Sequence, residues 1–240
     1  ELGERDTAAV IAAVKQWAAR LDSNDPAYQH HLMEALWVHQ WHNVVNVELL
    51  DRMLKSPEPR ARAAAARVLC YWRDRVPDSL QRFMTLATDS SPRVRLEAVR
   101  AASFYRDAAA ADVALAILKE PTDYYLDYCL KESLRQLQPV WREAIAQGKP
   151  IAANNPAGVK FLIGSVTTAE LLKLPKTVEV FEAILLRPDA NDADRAAALD
   201  GLARRRQSNR LTELFALING PGKGQPAGSL ARLLLLQSPD

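Results

Sequence analysis

The sequence is poor in the residues that mark several common classes of protein. It contains only two cysteines, Cys70 and Cys129, among its 240 residues. Neither lies in a CxxC or CxxCH motif, which argues against an attached haem, a zinc knuckle or a dithiol redox site in this chain. Both lie within apolar helical patterns, so we expect two buried free thiols rather than a disulfide.

Glycine, aromatic residues and net charge are also scarce. The 9 glycines and 7% aromatic residues stand beside many Ala, Leu and Arg residues, which favours helices over strands. The net charge of +2 gives no support for non-specific binding to nucleic acid. No apolar run reaches the roughly 18 residues of a membrane-spanning helix, so no span is predicted. Because the chain begins at Glu1 without a methionine, we expect it to be part of a longer protein.

An internal repeat is the strongest feature of the sequence. The segment Pro59–Asp74, PRARAAAARVLCYWRD, aligns with Pro92–Asp107, PRVRLEAVRAASFYRD, at an offset of 33 residues with seven of sixteen positions identical. A further step backwards reaches Pro26, and Asp194–Leu199 repeats the start of the motif. Self-similarity at this period predicts stacked supersecondary units.

Each repeat is predicted to open with a helix. Asp25-Pro26 and Ser91-Pro92 place a capping oxygen before a proline at the first helical position. An apolar stripe of period 3.6 follows, and in one unit it consists of Ala61, Ala65, Val68, Leu69 and Trp72. Shorter apolar helices are predicted between these, at Val47–Leu54, Leu80–Ala87, Val113–Leu118, Val178–Leu186 and Leu211–Ile218. The remaining predicted helices are Asp6–Leu21, Tyr124–Leu137, Gly158–Leu172 and Gly228–Gln237.

These patterns predict an all-α fold, a right-handed α-solenoid of about seven HEAT-like helix pairs. We expect one repeat domain over residues 1–240, with an irregular stretch near 147–156 that is either a long loop or a break in curvature. The pattern Asp89-x-x-Pro92-x-Val94-Arg95-x-x-Ala98 resembles the second half of a HEAT repeat. That resemblance implies a ladder in which Arg62, Arg95 and Arg195 bind aspartates of neighbouring turns.

Four stretches resemble a narrower family. They are His30–Val45, Pro92–Arg106, Pro121–Trp141 and Ser165–Thr177. They are similar to the HEAT-repeat region of large exported proteins of planctomycete-type bacteria, in which it lies between a propeller resembling sugar or sorbosone dehydrogenases and a c-type cytochrome domain. The resemblance implies a periplasmic or exported setting and a role as spacer or docking scaffold, whereas the redox centres of that family lie outside this sequence.

A second helical face also repeats, roughly 130° from the apolar stripe. In HEAT arrays the second helices line the concave side, so this face is a candidate surface for binding a protein partner. An ordinary solvated helix face fits the same pattern. The candidate residues are Arg60, Arg67, Tyr71, Arg93, Glu97, Arg100 and Phe104.

Other constellations point less clearly to a site. The four histidines lie in one helix, where His39 and His42 could share a metal, but a third ligand is lacking and packing explains them adequately. The run Arg204–Arg206, with Arg210, suits either phosphate binding or the negative end of a helix dipole. We predict no catalytic motif, no metal site and no cofactor.

The predicted function is therefore a non-enzymatic scaffold for protein–protein or interdomain contacts. One alternative is a nucleic-acid-binding array resembling the alkylpurine DNA glycosylases, which requires a continuous basic groove. Another is an accessory array resembling the bilin lyases, which requires a deep apolar cleft. Binding to nucleic acid is not expected from so small a net charge.

Overall fold

Longer and shorter helices alternate from Tyr28 to Gln136. The computed structural model describes residues 2–220 and Leu234, and these residues form fourteen α-helices and no strand. Contacts between Cα atoms divide the chain into two compact units, Glu1–Gln138 and Pro139–Asp240. The helices of the first unit are α1 (Thr7–Ala18), α2 (Tyr28–Trp41), α3 (Val47–Leu54), α4 (Pro59–Trp72), α5 (Ser79–Leu86), α6 (Pro92–Ala102), α7 (Ala109–Ala116) and α8 (Tyr124–Gln136). Those that follow are α9 (Gln138–Ala146), α10 (Pro156–Ile163), α11 (Thr168–Leu171), α12 (Val178–Leu186), α13 (Asp192–Arg206) and α14 (Arg210–Asn219).

The helices of the first unit form two layers. Consecutive helices pack as the pairs α1/α2, α3/α4, α5/α6 and α7/α8. The second helices of these pairs also pack on one another in chain order, α2 on α4, α4 on α6 and α6 on α8. Each pair therefore buries its apolar face against the next pair, as in a solenoid. The predicted all-α fold of HEAT-like helix pairs is confirmed.

Small side chains bring the second helices close together. Ala65 of α4 and Ala98 of α6 are both fully buried. The larger apolar side chains beside them, Leu69 and Trp72, are buried as predicted. Tyr105, which lies one repeat after Trp72, follows the end of α6 at Ala102. It is half-buried, and its hydroxyl donates to Ser79 Oγ at 2.7 Å.

The predicted helix start at Asp25-Pro26 is wrong. The chain makes a turn there, in which the Tyr28 N–H donates to the Asp25 carbonyl at 2.9 Å with Pro26 at the second position. The Asp25 carboxylate accepts from the Ala27 N–H at 2.8 Å, so it closes this turn and does not cap a helix. Helix α2 therefore begins at Tyr28, two residues after the proline.

The other predicted start is correct in position but not in its cap. Helix α6 begins at Pro92, yet the Ser91 side chain makes no capping hydrogen bond. The Asp89 carboxylate accepts from the Ser91 N–H at 2.8 Å, so it stabilises the turn that leads into the helix. At the equivalent start of α4, the Glu58 side chain caps the Arg60 N–H.

The arginine ladder is present at only one of its three expected rungs. Arg62 donates to both carboxylate oxygens of Asp89, each at 2.7 Å, and to the Ser56 carbonyl. Arg95 is buried and donates to backbone carbonyls, including Pro121 at 2.6 Å, while its Nε has no hydrogen-bond partner in the described part of the chain. Arg195 likewise donates to carbonyls, and the nearest carboxylate is 3.6 Å away in its own helix. Carbonyl groups replace the carboxylate at these two rungs.

In the second unit, α12 packs on both α10 and α13. The single helix predicted at Gly158–Leu172 is wrong, because the chain leaves α10 after Ile163 and starts α11 with a capping box. In that box the Glu170 N–H donates to Thr167 Oγ1, and the Glu170 carboxylate accepts from the Thr167 N–H at 2.8 Å. Helix α9 was not predicted, and the stretch at 147–155 connects it to α10.

The prediction of a last helix at Gly228–Gln237 lies outside the described residues, apart from Leu234. Across the described ranges, no helix combines the length and hydrophobicity needed to cross a bilayer.

Candidate protein-interaction surface

The candidate surface lies on α4, on α6 and on the short segment that follows α6. We call it the second-helix face; it consists of Arg60, Ala64, Arg67, Tyr71, Arg93, Glu97, Arg100 and Phe104. The buried alanines described above fix the spacing of the two helices from behind. Residues one repeat apart in the sequence therefore lie side by side on neighbouring helices.

Glu97 has a different position from the one expected for a contact residue. Its side chain is only 4% exposed, and it accepts from Arg67 Nε at 2.6 Å and from Arg100 Nε at 3.2 Å. Arg67 lies on α4 and Arg100 on α6, so this carboxylate joins the two helices. The guanidinium groups remain open to solvent, with side chains 58% and 42% exposed. Glu97 thus positions the two arginines, while they form the accessible surface.

Two aromatic side chains lie at the C-terminal end of this face. Tyr71 is 70% exposed and Phe104 is 47% exposed. The guanidinium carbons of Arg73 and Arg100 lie 5.5 and 5.7 Å from the Phe104 ring centroid, within cation–π range. These contacts hold the ring in place while part of it remains accessible.

Arg60 and Arg93 lie at the N-terminal end of the face, each as the second residue of its helix. Both are exposed, and within the described ranges neither has a carboxylate within 4.0 Å. The positive end of a helix dipole disfavours a cation at this position. Helix stability therefore does not account for these two arginines.

The exposed aromatic surface extends onto α2, which sequence reasoning missed. Trp41 is 77% exposed and Trp37 is 40% exposed. A groove of about 550 Å³ is lined by Trp37, Trp41 and Tyr71, and a second groove of about 480 Å³, between α2 and α4, is lined by Trp37 and Arg60 among others. The signal in the sequence is the pair of tryptophans four residues apart on α2.

Three exposed tyrosines lie near the start of α8. Tyr124, Tyr125 and Tyr128 are each more than half exposed, and the rings of the first two meet edge to face with centroids 5.5 Å apart. Arg60 and Arg93 are the second residues of α4 and α6, and Tyr125 is the second residue of α8. We call these three positions the N-terminal row.

Hydrogen bonds and packing account for the histidines of α2. His39 is buried, with Nδ1 3.3 Å from the Val44 carbonyl oxygen and Nε2 3.2 Å from Asn46 Nδ2, so both ring nitrogens are engaged. His42 Nδ1 lies 3.1 Å from Thr7 Oγ1, and the His31 ring packs against Trp17. Over the residues that the structure describes, no group of three or more potential ligands is placed to hold a metal ion.

Both cysteines are free, as predicted. Cys70 is buried, whereas Cys129 is only half-buried, with its sulfur 4.0 Å from Ser133 Oγ. Burial raises the pKa of both thiols, so neither is activated as a nucleophile at neutral pH.

Two arginines of this basic segment, Arg206 at the end of α13 and Arg210 at the start of α14, are engaged by neighbouring carboxylates. Arg206 binds Glu182 at 2.6 Å and Glu213 at 2.8 Å, and Arg210 binds both oxygens of Asp200. These ion pairs join neighbouring helices and give the arginines a structural role.

Comparison with known proteins finds a similarity, which covers repeats of the first unit. A family model of HEAT repeats matches residues 46–135, from the cap of α3 to the last turn of α8. These residues are similar to HEAT repeats, and we call them the HEAT region. The second-helix face lies wholly within this HEAT region. Neither the curated proteins nor the solved structures give a match, so the narrower resemblance to exported fusion proteins has no support from a relative.

Proposed function

We propose that this chain is a non-catalytic scaffold that holds another protein, or a neighbouring domain, on its second-helix face. HEAT repeats are typically scaffolds for protein interaction. The observation that carries the proposal is the repetition of exposed arginine and aromatic side chains on successive helices of the HEAT region. Arginine, tyrosine and tryptophan are enriched at protein interfaces and at their energetic centres.

The ion pairing of the face favours a protein partner over nucleic acid. Glu97 shares its charge with both Arg67 and Arg100, which reduces the positive potential available to a phosphate backbone. Protein surfaces offer carboxylates and apolar groups together, which suits arginines that lie beside aromatic rings.

The proposed setting is a larger exported protein. The stretches that resemble planctomycete-type fusion proteins support a position between a propeller and a c-type cytochrome domain. In that setting the HEAT region supplies spacing and a docking surface, and the redox chemistry belongs to the flanking domains.

Site-specific photo-crosslinking tests the scaffold role. A benzophenone amino acid placed at Tyr71 or Phe104, in cells that produce the parent protein, is expected to give one discrete protein crosslink or one defined intramolecular crosslink. The same probe at Gln81, an exposed residue of α5, is the matched control and is expected to give neither. Crosslinks to nucleic acid, or yields equal to those at Gln81, contradict the proposal.

A further inference from the structure

Among the arginines of the second-helix face, the two at its N-terminal end have no carboxylate partner within the described residues. Arg60 and Arg93 occupy equivalent positions on adjacent helices, where the helix dipole disfavours a cation. Across the described residues neither has an ionic partner, whereas Arg67 and Arg100, further along the same helices, both contact Glu97. Both arginines thus lie where the helix dipole is unfavourable to a cation and without an ion pair in the described residues. This arrangement indicates a surface that binds an anionic group of a partner.

The neighbours of this row add an apolar component. At the α8 end, Tyr125 continues the row beside Tyr124 and Tyr128, whose rings are open to solvent. At the α2 end, Arg60 lines the groove of about 480 Å³ together with Trp37. The row therefore runs from an aromatic groove, across two arginines, to a cluster of tyrosine rings.

The spacing of the row limits the shape of a ligand. Packed helices lie about 8–10 Å apart. A polyproline II segment has three residues per turn and a rise of about 3.1 Å per residue, so side chains three apart lie on one face about 9 Å from each other. An extended β-strand repeats its side chains at about 6.6 Å, which does not match. Aromatic clusters are the usual docking sites for proline-rich segments in this conformation.

We propose that the HEAT region binds an acidic, proline-rich segment of its partner in the polyproline II conformation. Carboxylates three residues apart bind Arg60 and Arg93, and prolines of the same segment pack on the tyrosine cluster of α8. Asp123 and Asp127 of α8 repel acidic residues from that end and thus orient the segment. This inference rests on the proposed scaffold function and names the chemical class of its partner.

A binding assay with the full 240-residue chain tests the proposal. The probe is a fluorescein-labelled 12-residue peptide with glutamate at every third position and proline elsewhere, measured by fluorescence anisotropy. A peptide of the same composition with its glutamates adjacent, and one with lysine replacing glutamate, test spacing and charge. We expect the first peptide to bind at least about tenfold more tightly than either, a difference of about 1.4 kcal/mol.

Charge reversal at the row supplies the matching variants. Arg60→Glu and Arg93→Glu are each expected to weaken the glutamate peptide about tenfold, and the double variant is expected to prefer the lysine peptide. Arg204→Glu makes the same change of charge at an exposed position of α13 and is expected to leave binding unchanged, with circular dichroism confirming the fold of each variant.

Three outcomes overturn the proposal: equal binding of the peptides by the wild type, unchanged binding by the double variant, or equal affinity for a DNA duplex. The crosslinking at Tyr71 and Phe104 does not depend on acidity. A discrete protein crosslink combined with any of these three outcomes therefore refutes only the acidic segment, whereas failure of the crosslink refutes the scaffold itself.

Discussion

Arginine has distinct uses at different positions of this repeat, and its neighbours decide which. Arg62 forms an ion pair with Asp89 of the next repeat, whereas Arg95, at the same position one repeat later, donates to carbonyl groups. Arg67 and Arg100 share one buried carboxylate. The identity of the residue is the same in each case, but only the surrounding groups distinguish a structural arginine from an accessible one.

Asp89 offers the clearest test of a structural ion pair. Burial acts to raise the pKa of this carboxyl, but the hydrogen bonds from Arg62 and the Ser91 N–H outweigh burial and hold the pKa below its ordinary value. Asp89→Asn is expected to lower the free energy of unfolding by about 2 kcal/mol in urea titrations at pH 7. Asp74→Asn, at a largely exposed carboxylate, is the control and is expected to change it little.

The same ion pair predicts a dependence on acid. Because the folded pKa lies below the unfolded value of 3.8, the pair stabilises the protein above that pH, and the contribution is lost as the pH falls through the folded pKa. The difference in stability between the wild type and Asp89→Asn is therefore expected to shrink below about pH 4. A constant difference down to pH 2 contradicts this assignment.

His39 is expected to make the protein sensitive to milder acid. Burial lowers the pKa of this imidazole below 6.5, so the unfolded chain binds the proton more readily than the folded one. Stability should therefore fall as the pH drops below 6.5. In melting curves between pH 7.5 and 5, His39→Gln should reduce this slope although it lowers the melting temperature throughout. An unchanged slope in the His39→Gln variant contradicts this assignment.

At the scale of the helices, sequence periodicity located elements better than it located their ends. The predicted Val47–Leu54 and Val178–Leu186 coincide with α3 and α12 because their apolar faces are buried against the next helix. The predictions were wrong at Asp25, where a turn precedes α2, and at Thr167, where a new helix begins. In both places a short polar side chain bonds to nearby backbone, and the residue type alone does not fix whether that bond closes a turn or starts a helix.

The close approach of α4 and α6 predicts an asymmetric response to enlarged alanines. Ala65 is fully buried and Ala64, its neighbour on α4, is half-buried. Ala65→Leu is expected to destabilise the protein by about 1–3 kcal/mol through overpacking. Ala64→Leu, the control in the same helix, is expected to cost under about 0.5 kcal/mol. Equal effects in chemical denaturation refute the tight α4–α6 contact.

Gly201 gives a similar test in the second unit. A Cβ at this position of α13 would lie 2.3 Å from the Phe181 ring of α12. Gly201→Ala is therefore expected to destabilise the chain in thermal melts although alanine is the better helix former, and Phe181→Leu in the same chain is expected to recover part of the loss. Gly164→Ala, whose nearest neighbour is 3.6 Å away, should be tolerated.

At the scale of the whole molecule, the chain consists of two compact units. The first contains α1–α8 and the whole of the HEAT region. Because each pair in it is stabilised by its neighbours, we expect residues 1–137 to fold alone, with a cooperative thermal transition and a helix content per residue close to that of the full chain. A non-cooperative melt of this fragment, measured by circular dichroism, contradicts that expectation.

The sequence by itself determined the repeat, the helical class, the buried stripe through Ala65 and Ala98, and the exposure of Arg60 and Arg93. These follow from periodicity, since residues at a helical spacing share a face wherever the helix lies. Only the tertiary structure decided that Glu97 is buried between two arginines, that Trp37 and Trp41 are exposed, and that Arg95 binds carbonyl groups where Arg62 binds a carboxylate. Those properties depend on contacts between residues about 30 positions apart, which spacing within one helix does not contain.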